Sequence, residues 1–165
     1  MKKQLVSTLI LLIIPFLFAS CISGILKEKP PVFSSEIKYE APKAPFKSQS
    51  ASVFPSWKSQ TSGNVIAIVS DCGPNSDVSL QQMHSLLEDS MSDYQVVNEK
   101  AVQYQDRPAY FKNTTGLLDE VPIEIRALSF KRKNCTYLSY LSGKKGGLDA
   151  DQSAWENFNV KLSFE

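Results

Sequence analysis

What is scarce in this sequence narrows it first. There is one histidine, His84. No second histidine or closely spaced cysteine pair stands beside it to complete a zinc site. General acid–base work needs a positioned partner, and no nucleophile elbow or glycine-rich phosphate loop supplies one. Neither sign of charge is in excess, with 18 Lys and Arg against 17 Asp and Glu. Nothing in this balance predicts nucleic-acid binding, which wants a clear basic excess or a basic face. Asp71, Asn75 and Asp77 gather oxygen atoms around Gly73-Pro74. Their spacing is not that of a calcium loop, and a strand-to-helix turn accounts for them. No metal, no cofactor and no catalytic residue are expected, and the chain reads as a non-enzyme.

The long apolar run is confined to the start. Lys2 and Lys3 precede about 15 largely apolar residues from Leu5 to Ala19, short of the ~20 needed to span a bilayer. Pro15 sits inside the run, and this layout is that of a secretory signal. The residues before Cys21, Leu17-Phe18-Ala19-Ser20, resemble the bacterial lipobox. Ala19 and Ser20 fit it; Phe18 stands where the family usually has Leu. The resemblance implies a signal peptide over 1–20 and a lipid-bearing Cys21 at the mature N-terminus. The thiol would carry diacylglycerol as a thioether, and two or more acyl chains hold a protein stably where one does not. Ile22 rather than Asp follows. This implies a protein anchored through Cys21 in the outer membrane and facing the periplasm.

Without residues 1–20 the charge falls to 16 basic against 17 acidic residues, because Lys2 and Lys3 leave with them. The remainder suits a single domain. Residues 21–35, with Ser, Gly, Lys and Pro30-Pro31, read as a tether, and 36–165 as the domain. Of three cysteines, Cys72 and Cys135 are left as an even pair in an oxidising compartment, and a disulfide between them is expected.

Short strands are expected at Ile37-Lys38-Tyr39 and within Ala51 to Trp57. Val65 to Val69, continuous and β-branched, reads as a buried central strand. Ser76 or Asp77 is then expected to cap a helix with Leu80, Met83, Leu87 and Met91 on one face. From Tyr94 the period becomes two. Four strands follow, with turns near Asp106, Asp119-Glu120 and Lys131 to Asn134, as an antiparallel meander. Gly143 to Gly147 reads as a mobile loop that puts Lys144-Lys145 at the same end as Lys131 to Lys133. Asp149 or Asp151 is expected to cap a last helix with Ala154, Trp155, Phe158 and Leu162 on its buried face. Phe164 is expected to dock its end.

The fold class expected is thus α+β: an antiparallel sheet with helices on both faces. The order resembles the PsbP-like α/β/α sandwich, named after an extrinsic subunit of photosystem II and shared with a nuclear-import factor. Within it the chain is most similar to uncharacterised delta-proteobacterial envelope lipoproteins. The resemblance rests on Val65 to Cys72, Leu80 to Leu87, Asp106 to Ala109, Leu117 to Pro122 and Asn134 to Tyr137. Where Glu120 stands, those lipoproteins often have Gly. The resemblance bears on fold and supplies no activity.

Three readings of function stand open. The first is a non-catalytic envelope module, bound to the membrane through lipid and to an envelope protein partner. The second is a carrier of a small amphiphile in a pocket between sheet and helix, for which Tyr137, Tyr140, Trp155 and Phe158 are candidates. Regularly spaced aromatics are also the ordinary material of a core. The third is an envelope hydrolase, which would need Asp71, His84 or Glu124 to converge in one cleft.

Overall fold

The structure, a computed structural model, describes residues 33–72 and 78–164. The signal, Cys21, most of the tether, Asn75 and the caps expected at Ser76 or Asp77 fall outside the described residues.

Nine strands are described: β1 (Ile37–Lys38), β2 (Phe46–Ser48), β3 (Ser56–Ser59), β4 (Val65–Cys72), β5 (Ser92–Tyr104), β6 (Arg107–Leu118), β7 (Val121–Arg132), β8 (Cys135–Lys144) and β9 (Ser163–Phe164). Seven form one antiparallel sheet in the order β2-β3-β4-β8-β7-β6-β5. The other two, β1 and β9, pair with each other. The meander from β5 to β8 follows from the period-two pattern. The turn residues Gln105-Asp106 and Asp119-Glu120 take positive φ of 48°, 61°, 49° and 66°. Two successive left-handed residues match the twist of a tight hairpin. Here they are reached without glycine, Glu120 included.

The α+β expectation holds only loosely, because the sheet dominates and the helices are short. A 3-10 turn, Gln82–His84, runs into α1 (Ser85–Glu88); a second, Leu148–Asp151, runs into α2 (Gln152–Val160). The long first helix is not formed. Ser79 N–H donates to Gln82 Oε1 at 2.9 Å while Gln82 N–H donates to Ser79 Oγ at 3.1 Å, a reciprocal pair that starts the segment late. Ser85 and Ser90 then bond backward to the carbonyls of Gln82 and Leu87. Such serine bonds compete with helix propagation, and β5 opens at Ser92.

Each sheet face has its own core. Ile66, Ile68, Phe130, Tyr137 and Leu141 pack beneath Trp155, Phe158 and Leu162 on the α2 face. Val69, Ile125, Ala127 and Leu138 pack with Met83 on the α1 face. Phe164 docks as expected, 5.8 Å from Phe130 and 5.4 Å from Tyr137 between ring centroids.

Other expectations need correction. The strand within Ala51 to Trp57 lies later, at Ser56–Ser59. Ser34 N–H donates to Ser70 Oγ and Tyr137 O–H to Ser34 Oγ, each at 3.0 Å, so chain described as packed begins before residue 36. Gly143 is not loop but part of β8. Lys131 to Lys133 and Lys144-Lys145 consequently sit at opposite ends of β8, not together. Asp151 occupies the cap position of α2 without bonding its backbone. Its carboxylate instead accepts from Ser62 Oγ and Asn64 Nδ2. Asp149 pairs with Arg126 at 2.8 Å.

Cys72 and Cys135 are directly opposite in the β4–β8 ladder, their Cα atoms 4.2 Å apart and their Sγ atoms bonded. The two residues are thus a directly facing pair on adjacent antiparallel strands.

Candidate functional site

Of the four residues singled out for a pocket, three join one core and Tyr140 lies apart from them. Along β8 the side chains alternate between faces, so Tyr137 and Tyr140, three positions apart, must point to opposite sides. Tyr137 is fully buried, and Trp155 and Phe158 are 3% and 2% exposed. Trp155 Nε1–H donates to Ser139 Oγ at 3.0 Å, and Phe158 packs against Trp57 with ring centroids 5.3 Å apart. These three are the core of the α2 face, held there by area and by one satisfied indole. Tyr140 lies on the α1 face.

The groups a hydrolase would need are likewise divided. Ser129, His84 and Asp71 belong to the α1 side of the sheet or its rim. Glu124, on the α2 side of β7, is buried. It accepts from Asn113 Nδ2 and Arg126 Nε, each at 3.1 Å, and from the Gly146 backbone at 3.2 Å. Arg126 then reaches Asp149 and Gln152 Oε1. This network ties β6 and β7 to the turn before α2, and the sheet separates it from His84.

His84 is itself buried. Its Nε2 is 3.1 Å from Ser129 Oγ, which donates to the Leu80 carbonyl at 2.8 Å. Its ring meets Tyr110 edge-on at 5.7 Å. With the serine proton directed to Leu80, Nε2–H is the donor between the two side chains. Burial is the largest influence on the imidazole and lowers its pKa to about 4; Glu88 opposes this, while Lys112 adds to it. His84 is therefore neutral in the folded protein above that value and charges more readily when unfolded, near 6.5. The unfolded state binds more protons between these two pKa values. Stability is expected to fall as pH drops through the window and to level off below it. His84→Gln should flatten this acid limb in thermal unfolding measured at successive pH values. An unchanged limb would show that other groups cause it.

An open space does exist on the α1 face. Ala67 of β4 and Ala127 of β7 flank Tyr140 in register. Beside this ring opens a groove of about 870 Å³, with apolar lining from Phe54, Val69, Val78, Met83 and Leu87 and with Asp71, Gln82 and Ser85 among its polar residues. Leu86, 59% exposed, stands at its rim. Glu88 meets Lys112 at 2.7 Å and so fastens the far end of α1 to β6. Burial raises the Tyr140 pKa, so its hydroxyl keeps its proton. Sequence reasoning could separate Tyr140 from Tyr137 by parity alone. That Ala67 and Ala127 are the ladder neighbours of Tyr140 follows only from the β4–β8 and β7–β8 registers.

The architecture is PsbP-like. A solution structure of cyanobacterial PsbP (CyanoP) from Synechocystis sp. PCC 6803 is similar at TM-score 0.53 and 10% identity, over 86% of this chain and 100% of that one. A Pseudomonas aeruginosa protein of unknown function, PA94, is similar at TM-score 0.46 and 10% identity, over 76% of this chain and 81% of that one. LpqN of Mycobacterium tuberculosis, described as involved in cell envelope biogenesis, is similar at TM-score 0.41 and 10% identity, over 79% of each. No family model matches the chain, and no curated protein matches it.

Proposed function

We propose that this chain is a lipid-anchored, non-catalytic binding module of the cell envelope, held by Cys21 in the outer membrane and facing the periplasm. The observation that carries the binding role is the open apolar groove on the α1 face. Large concave apolar surfaces with few polar groups are the usual form of a ligand site. An envelope protein partner remains part of this reading. The lipobox-like Ala19-Ser20-Cys21 supports the anchor, and the division of His84 from Glu124 across the sheet argues against a hydrolytic centre built from them.

The anchor has a direct test. Cells fed a clickable palmitate are expected to label the protein, and Cys21→Ser is expected to abolish the label. Undiminished labelling of that variant would overturn the anchor. For the binding role, a photocrosslinking amino acid at Leu86 in the intact protein should give a discrete adduct. Its absence, with equal expression, would count against the groove as the binding surface.

The carrier reading is the second one, and a specific observation favours it: a tyrosine hydroxyl set in an apolar groove suits an amphiphile.

A further inference from the structure

We infer that the groove on the α1 face takes an acyl chain of a membrane amphiphile, with a neutral ester or amide oxygen of that molecule accepting a hydrogen bond from Tyr140. The inference rests on the anchored binding-module reading and names the ligand of that site.

Five observations point to this occupant. The volume, about 870 Å³, lies within the roughly 300–1,000 Å³ typical of small-molecule sites. The lining is mainly apolar, from Phe54, Val69, Val78, Met83 and Leu87, so a hydrocarbon chain would gain by leaving water there.

The polar lining groups are mostly engaged. Gln82 Oε1 accepts from Ser79 N–H and Ser85 Oγ donates to the Gln82 carbonyl. Ser70 turns its hydroxyl to Ser34 on the α2 face, and Asp71, which also lines the groove, has a partner of its own. Tyr140 has no such bond among the described residues. Protonated at neutral pH, it offers a donor, and a donor selects an oxygen acceptor. A charged headgroup would not belong at this depth, since a buried ion needs a partner.

The chain also enters the domain next to one wall of the groove. Phe33 packs edge-on against Phe54, a lining residue, with centroids 6.4 Å apart, while Ser34 bonds Ser70 and Tyr137 on the opposite, α2 face. From Cys21 to Phe33 the chain can span at most about 40 Å, at roughly 3.3–3.6 Å per extended residue. An anchored protein therefore keeps this groove within one short tether of lipid, where acyl chains are the concentrated apolar ligand.

Finally, Leu86 is an exposed leucine at the mouth. It offers a chain a partly sheltered path from solvent to the Tyr140 ring.

The test uses the full lipoprotein in cells fed a palmitic acid analogue that is both photoactivatable and clickable. After irradiation, light-dependent adducts are expected on peptides containing Phe54, Leu86, Leu87 or Tyr140. Leu86→Asp, at an exposed position, should reduce them about fivefold, the loss of roughly 1 kcal/mol of apolar contact. Tyr140→Phe keeps the shape and should weaken retention of the adduct-forming lipid by a similar factor. Adducts spread equally over peptides containing Val97, Val121 or Val160, which are also exposed, would overturn the proposal. So would their absence from the groove peptides. A protein-sized adduct from a crosslinker at Leu86, without lipid adducts, would overturn the ligand class and leave the binding module standing. The anchor is read separately, as label that needs no light and is lost in Cys21→Ser.

Discussion

Replacing Cys72 and Cys135 together by serine is expected to lower the unfolding free energy by about 4 kcal/mol. The bridge spans a sequence separation of 63. Closing a loop of that size in the unfolded chain costs roughly 4 kcal/mol of conformational entropy, which the disulfide removes from the folding step. In the native state the two residues already face each other at the end of the β4–β8 ladder. The serine variant should therefore keep the fold and lose stability through its unfolded ensemble. Urea unfolding of both proteins, with and without reductant, is the measurement. Reductant should bring the natural protein down to the level of the variant. A variant as stable as the oxidised protein would show that the bridge contributes nothing, and thiol titration of unreduced unfolded protein should find neither cysteine free.

Gly143→Ala is expected to be almost as damaging, at about 3 kcal/mol. A Cβ at this position would lie 1.9 Å from Asn64 Oδ1 and 3.1 Å from a Leu148 methyl. Asn64 cannot simply step aside. Its Nδ2 donates to the Gly147 carbonyl at 2.9 Å and to Asp151 Oδ2 at 2.8 Å. Moving it would leave the buried Asp151 carboxylate with the Ser62 hydroxyl alone and break the bond to the Gly147 carbonyl, at roughly 1–3 kcal/mol, and overpacking adds a comparable amount. Gly63→Ala is a useful comparison. Nothing lies within 4 Å of its Cβ position, but its φ is +80°, so its cost is backbone strain of about 1 kcal/mol. Equal stability losses in the two variants would show that the Asn64 contact is not the cause.

This glycine shows where sequence reading stops. Gly143 to Gly147 has the composition of a mobile loop. Yet Gly143 continues β8 because a strand passes close to Asn64, and Gly146 donates to Glu124. Those contacts join residues far apart in sequence, and local composition carries no trace of them. The meander was legible because alternation over ten or more residues is a local signal with one solution. Val65 to Val69 was legible as buried for the same reason. Its partner was not, since β4 pairs with β8 across 63 positions at the disulfide end. The overestimated helix has a local cause. Leu80, Met83, Leu87 and Met91 fit a helical face, but Ser85 and Ser90 turn their hydroxyls onto the backbone, and the segment ends early. Tyr137 and Tyr140 were grouped by residue type, although their spacing within a strand already assigned them to different faces.

The pairing of β1 with β9 matters for synthesis. Ile37 is opposite Phe164 and Lys38 opposite Ser163, so strands from the two ends of the described chain complete one another. A chain emerging N-terminus first, from a ribosome or an export channel, makes β1 early and leaves it without its mate until Ser163 and Phe164 arrive. The hairpins of the meander can zip up in the order they appear. The first strand must wait for the last, and a nascent chain stalled just short of Ser163 would hold a nearly finished sheet with its opening segment still unlatched.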